Sequence, residues 1–399
     1  MSLPAPTKES PPVTATDDRI AYVDALRGIA ALMVLVFHTV QRSSKGLPAW
    51  VVTLNEQGAR GVQLFYVISA FTIFMTLHIR SQREGFSMRS FFVRRFFRIA
   101  PLFYCAMVFY LWLYGFGPRW SLGEHNQIGI TPGNIISNIF FVNGFSPYWI
   151  NSIVPVGWSV TVEMFFYLCV PLLFYYIRSL RAALWLTFGA LLASGTVSYV
   201  MATHPLISDQ RLWMEFLFQW FFNQMPIFCL GIVLFFLLRD CAERRTTVGA
   251  TRAFALSLQA FSIFLIAGLP FFNIPFLPRH VAYGIAFLML TYGLSLHPWR
   301  WLSTPLLTYF GKISYSVYLT QVIAIRLSAH LMIWLALHTP IAHLGAYAIL
   351  VRISVVFLCA IGISTLTYLL IELPGQRLGA RLIRRREAAK AAAVVNSGS

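Results

Sequence analysis

Ionisable side chains inside apolar segments are expensive to bury, so they mark the first places to look for chemistry. In this chain they are few. Asp24, Arg27 and His38 lie in or at the edge of the first apolar run, Glu163 lies in a later one, and Arg94, Arg95 and Arg98 stand together just ahead of another. Eleven residues from Arg27 to His38 make close to three helical turns. A helix through them puts both on one stripe, within about 20° of each other and about 16 Å apart along the axis. Asp24 joins that stripe, and Gly28, Ala30 and Ala31 between them let another helix or a ligand come close. The count puts His38 near mid-membrane. Eight residues inward from Pro155 bring Glu163 to a similar depth, about 12 Å in.

A histidine beside a carboxylate is a common general-base arrangement, because the carboxylate orients the ring and stabilises its charged form. His38 and Glu163 are therefore the candidate catalytic residues; a structural ion pair joining two helices fits the same two positions. Arg94, Arg95 and Arg98 fit either a phosphate-binding cluster or the ordinary placement of cations at a membrane boundary. Tyr66, Ser69, Trp158 and Ser159 are candidate cavity-lining groups for an acceptor or an oxyanion, and equally fit plain helix packing. Arg326 and Arg352, in or near later spans, can snorkel, pair or touch a polar substrate. The five cysteines have no CxxC or Cys/His metal spacing, so no metal site is expected.

The elements that must hold these groups are membrane helices. Of the 399 residues 58% are hydrophobic and only 11% charged, far from the quarter of charged residues usual in a soluble domain. Apolar runs of about twenty residues match a hydrocarbon core of about 30 Å, and in lipid every backbone amide needs an internal partner. The expected fold is all-α, a polytopic integral membrane helical bundle of about ten transmembrane helices. The expected spans are 21–40, 60–79, 99–117, 153–177, 182–202, 214–238, 253–270, 280–297, 314–337 and 344–371.

Most of the 31 basic residues fall before Arg27, in 80–98, 178–181, 239–252 and 298–312, and after Arg377. By the positive-inside rule these loops and both termini are cytoplasmic. The formal charge of +17 is then topology, and the bilayer rather than nucleic acid is the expected partner. Residues 1–19, polar and rich in Pro, Ser and Thr, read as a disordered cytoplasmic tail with no cleavable signal peptide. Residues 20–376 form the membrane domain and 377–399 a basic cytoplasmic tail. No internal repeat, soluble domain or second catalytic module is expected. The longest outside loop, 118–152, carries an apolar patch around Ile135–Val142 that suits a re-entrant or interfacial helix.

Six segments together go further: YVDALRGIAALMVLVFH (22–38), GVQLFYVISAF (61–71), FFVRRFFRIAPLFY (91–104), VGWSVTVEMFFY (156–167), GKISYSVYLTQ (311–321) and IELPGQRL (371–378). In order and spacing they resemble acyltransferase family 3, the membrane O-acyltransferases of the O-antigen and exopolysaccharide acetylase type. The resemblance covers about residues 20 to 380. It implies transfer of an acyl group, usually acetyl, from cytoplasmic acyl-CoA to a hydroxyl of a cell-surface or exported carbohydrate or glycolipid, in a bacterial inner membrane. Acyl-CoA is then a co-substrate, and no tightly bound cofactor is expected.

Carried over by position, the resemblance makes His38 the essential histidine, Asp24 and Arg27 the opening Asp and Arg that support substrate or structure, Arg95 and Arg98 the arginine pair, and Glu163 the WSxxxE glutamate. Arginine can bind the donor's phosphates bidentately. The chain departs from the pattern at Gln321, where a His is common, and at Ala70, where a Gly is frequent. Both direct transfer and a covalent acyl-enzyme relay remain open. The rival class is a proton-coupled transporter or flippase, with His38 and Glu163 as a proton relay.

Overall fold

The computed structural model describes residues 14–42, 47–83, 87–118, 129–243, 252–339 and 347–397. These residues fold into fourteen α-helices. The first seven are α1 (Thr14–Gln41), α2 (Ala49–Glu56), α3 (Gly61–Arg83), α4 (Met88–Tyr114), α5 (Pro132–Ile139), α6 (Trp158–Tyr176) and α7 (Leu180–Thr203). There follow α8 (Gln210–Gln219), α9 (Phe221–Glu243), α10 (Arg252–Gly268), α11 (Arg279–Leu296), α12 (Pro305–His338), α13 (Ala348–Thr367) and α14 (Leu373–Ser397), with a π-helical segment at Tyr368–Glu372. Among the described residues eight stretches are long and apolar enough to cross a membrane, so the chain is an all-α polytopic membrane bundle. The other two expected spans, 253–270 and 280–297, fall on α10 and α11, helices of 17 and 18 residues that pack on each other.

The central helix is α1, which packs on α12 and α3, while α3 packs on α9, α12 on α13, and α14 on α4. Two glycines explain how close α1 and α12 run. A Cβ on Gly28 would lie 2.9 Å from Gly311 N, and a Cβ on Gly311 would collide with the Asp24 carbonyl. Backbone therefore touches backbone at the level of Asp24 and Arg27, as small residues permit in a membrane bundle.

Three boundaries differ from the sequence expectation. Residues 80–98 are mostly helix rather than loop, because α3 runs to Arg83 and α4 already starts at Met88. The Ser87 hydroxyl caps that start by accepting from Ser90 N. The arginines thus sit on the opening turns of α4, with Arg95 and Arg98 one turn apart. Helix α6 begins at Trp158, after turns that occupy 153–157. The apolar patch of the outside loop forms α5, whose Asn134, Ser137 and Asn138 are buried while Ile136, Ile139 and the following Phe140 are exposed. That inverted amphipathic pattern suits a lipid or interfacial surroundings. Residues 1–13 of the expected tail lie outside the described residues; α1 begins within the tail at Thr14.

The two ends of the bundle are distinct. Tyr114, at the close of α4, lines the same cavity as His38, so the opening of α4 with its arginines points to the opposite end. Helix α14 runs antiparallel to α4 there, with Gly375 against Pro101 and Gly379 against Phe97.

Candidate functional site

His38 lies in the last turn of α1, three residues from its end. It borders a cavity of ≈ 780 Å³ whose walls come from α1 (Phe37, His38, Gln41), α3 (Gln63), the 150–156 turns, α6 (Trp158), α8 (Glu215, Phe216, Phe218, Gln219) and α12 (Tyr318). The ring stands 4.8 Å from that of Phe37, and its Nδ1 is 3.4 Å from Gln41 Oε1. With the proton on Nδ1, donated to that amide oxygen, Nε2 keeps a free lone pair.

The far wall of this cavity depends on a break between α8 and α9. Trp220 is extended there, which frees the Phe218 carbonyl from the helical ladder. Asn223 Nδ2 donates to it at 3.0 Å and Gln224 Nε2 at 2.7 Å. Because a carbonyl only accepts, Gln224 must turn its own oxygen outward, and Gln63 Nε2 donates to that oxygen at 3.1 Å. Among the described residues the chain of donors leaves Gln63 Oε1 buried without a partner, and Asn151 Oδ1 is unpaired likewise after Asn151 Nδ2 donates to Gln219. Both residues line the His38 cavity. An unsatisfied buried acceptor costs about 1–3 kcal/mol, a cost that a hydroxyl donor entering the cavity would remove.

Glu163 occupies a different space. Its carboxylate accepts from Ser69 Oγ at 2.5 Å and Tyr167 Oη at 2.6 Å. It edges a small cavity of ≈ 30 Å³ together with Val62, Phe65, Tyr66, Ser159, Val160, Tyr315 and Tyr318. His38 and Glu163 therefore do not meet, contrary to the depth count, and the partner of the His38 ring is Gln41. The physical reason is the placement of two helix ends. His38 falls in the closing turn of α1, not at mid-span, whereas Glu163 is held inward by hydroxyls from α3 and its own helix. Val62 and Tyr318 line both spaces and form the partition between them.

Around Glu163 the expected cations do gather. Its negative charge acts on Arg27, Arg95 and Arg98. The Arg95 guanidinium lies over the rings of Phe91 and Tyr167, at 5.7 and 5.5 Å, and Arg27 lies over Phe65 at 5.9 Å. Tyr167 thus bridges Arg95 and Glu163. Among the described residues none of these three arginines makes a direct ion pair with Asp24, Glu163 or Glu372, and Nε of both Arg27 and Arg95 is buried without a hydrogen-bond partner. Three cations without a direct carboxylate partner among the described residues leave positive charge that an anion would neutralise. Arg94 is partly exposed beside Arg95.

The remaining sequence candidates divide between the two spaces. Trp158 faces the large cavity. Ser159 donates to Tyr318 Oη at 2.6 Å, and Tyr66 donates to the Ser159 carbonyl while stacking on Phe228. Arg326 sits over Tyr114, and Gln321 is buried behind the partition, donating to the Tyr318 carbonyl.

Sequence reasoning missed two residues of weight. Tyr318 forms the partition, and Glu372, 1% exposed, accepts from Ser316 Oγ and Gln376 Nε2 within reach of the Arg98 charge. Both lie in segments that carried the family resemblance, which was the available signal. Glu372 closes the π-helical segment, a local irregularity frequent at functional positions.

The acyltransferase-domain family profile matches residues 20–369. Nodulation protein 10 of Rhizobium leguminosarum bv. viciae is 28% identical over 336 residues, with 71% of this chain and 87% of the relative covered. Exopolysaccharide production protein ExoZ of Rhizobium meliloti (strain 1021) is 27% identical over 294 residues, covering 71% and 81%. No solved structure matches the chain.

Proposed function

Because the chain belongs to acyltransferase family 3, we propose that it transfers a short acyl group, acetyl, from acyl-CoA bound at the arginine end to a hydroxyl of a carbohydrate or glycolipid seated in the His38 cavity. The arginine end is the cytoplasmic one in this reading, both termini lie on that side, and the membrane is the bacterial inner membrane. The observation that carries the proposal is the partition. The cavity holding His38 and the space edged by Glu163 share Val62 and Tyr318 as walls, with three cations beyond.

The donor's phosphates rest on Arg95 and Arg98, supported by Arg27, and the flexible arm carries the thioester inward. Arg27 and His38 are about 16 Å apart along α1, a span for that arm to cover. His38 Nε2 takes the proton of the acceptor hydroxyl as its oxygen forms the new ester bond to the acyl carbon. The C–S bond breaks, and the proton passes to the departing CoA sulfur. Glu163 balances the arginine charges rather than orienting His38.

The large cavity suits a sugar. Phe37, Trp158, Phe216 and Phe218 give aromatic faces, while Gln63, Asn151 and Gln219 supply amides, two with unpaired oxygens that accept from hydroxyls. That one relative is named for exopolysaccharide production supports the same acceptor class.

The test uses membranes containing the wild type, His38→Ala or Arg95→Ala, supplied with labelled acetyl-CoA and separated into glycan and lipid pools. Label entering a glycan or glycolipid pool with the wild type, and reduced by about 100-fold or more without His38, is the expected result. Equal labelling by all three, with the variants folded and inserted, rules the site out.

A further inference from the structure

The small space edged by Glu163 shares Val62 and Tyr318 with the His38 cavity, while Glu163 itself lies in the field of Arg27, Arg95 and Arg98, and the size of this space is its most telling property. At ≈ 30 Å³ it has room for about two water-sized groups, since one needs about 10–15 Å³ of such space. Resting on the acyl-transfer reading above, we propose that this chamber receives the acyl group of the donor and measures it, admitting about two carbons and rejecting longer chains.

Three observations carry the assignment. The first is position: Val62 and Tyr318 are walls of both spaces, so an acyl carbon held in the chamber against them lies next to the His38 cavity. The second is chemistry: Val62, Phe65 and Val160 offer an apolar bed for a methyl group, whereas a passing water or ion would find few free polar groups there. The third is stiffness. Tyr318 is fixed by the Ser159 hydroxyl at 2.6 Å and by donating to the Val156 carbonyl at 3.1 Å. Glu163 is fixed by Ser69 and Tyr167. A chamber tied on opposite sides by hydrogen bonds does not swell to take two more methylenes, and each extra methylene in a well-packed pocket is worth about 10- to 200-fold in selectivity.

The experiment compares acetyl-CoA with butyryl-CoA as donors for the wild type, Val62→Ala, Val160→Ala and Val34→Ala in membranes, reading the ratio of the two transfers. A ratio taken on one membrane sample cancels differences in the amount of folded protein. Val34 lines only the large cavity and serves as the control. The expected result is a wild type that favours acetyl by at least about tenfold, a butyryl-to-acetyl ratio raised about tenfold or more by Val62→Ala and Val160→Ala, and a control at the wild-type ratio.

Unchanged ratios in both chamber variants overturn the proposal, as does a control that shifts as far as they do. Complete loss of transfer in both chamber variants overturns it too, because a smaller wall residue leaves room for acetyl. A wild type that uses both donors equally sinks the measuring chamber and leaves acyl transfer standing. A wild type that transfers from neither donor removes the reading beneath it.

Discussion

The two ends of this bundle are built differently. At the His38 end the walls are irregular: turns at 150–157, a break between α8 and α9, and amide side chains satisfied through a relay of donors that ends in unpaired oxygens. At the arginine end the walls are helices pressed together at glycines, one irregularity being the π-helical segment Tyr368–Glu372, with charges lodged over aromatic rings. Irregular backbone inside a membrane persists only where protein or a cavity satisfies it. The first end is thus suited to a bulky and variable polyol, and the second to one invariant anion.

The widest separation between the ends is expected from His38. His38→Ala lowers kcat about 10²- to 10⁴-fold while leaving the affinity for a non-transferable acyl-CoA analogue unchanged, as titration of the analogue against purified protein would record. A matching loss of analogue affinity would merge the two ends into one site. Next in size is Arg98→Ala, which removes a charge-assisted contact worth about 1.5–3 kcal/mol. The KM for acyl-CoA should rise about 10- to 100-fold with the acceptor KM unmoved, and kinetics varying each substrate in turn would resolve it.

A third probe addresses rigidity. Gly311→Ala forces a Cβ against the Asp24 carbonyl, so thermal unfolding in detergent should reveal a loss of about 1–3 kcal/mol. Gly189→Ala, where a Cβ meets nothing within 4 Å, should cost nothing measurable. Equal behaviour of the two would deny that the donor end is held by that close crossing. The smallest effect belongs to the adaptable end. Gln63→Ala should raise the acceptor KM about five- to tenfold, the worth of about one hydrogen bond, and a shift in acyl-CoA KM instead would place Gln63 on the wrong side of the partition.

Part of the arginine end is legible in the sequence. The spacing of Arg95 and Arg98, one turn apart, puts them on one face of α4, but that Arg27 of α1 comes within the field of the same carboxylate is set by tertiary packing and not by any helical period. The helical phase of Arg27 and His38 was equally readable. What failed was the meeting of His38 with Glu163. Counting residues from the span ends gave the depth of each, but the count started α6 near Pro155, whereas turns persist to Gly157. A carboxylate also goes to the hydroxyls nearest it, and Ser69 and Tyr167 were nearer than His38. Glu372 escaped notice for a similar reason, since its contacts with Ser316 and the field of Arg98 come from helices far away in the chain.

By itself, then, the sequence determined the class of fold, the family and the face on which each charged residue sits. Composition and helical periodicity are local properties that need no knowledge of neighbours. Only the tertiary structure decided that His38 and Glu163 face two different spaces sharing Val62 and Tyr318, and that among the described residues the amide oxygens of Gln63 and Asn151 remain without donors. Those facts depend on how far one helix slides along another, and that displacement is set by packing, such as the contact of Gly28 with Gly311, rather than by the period of any single helix.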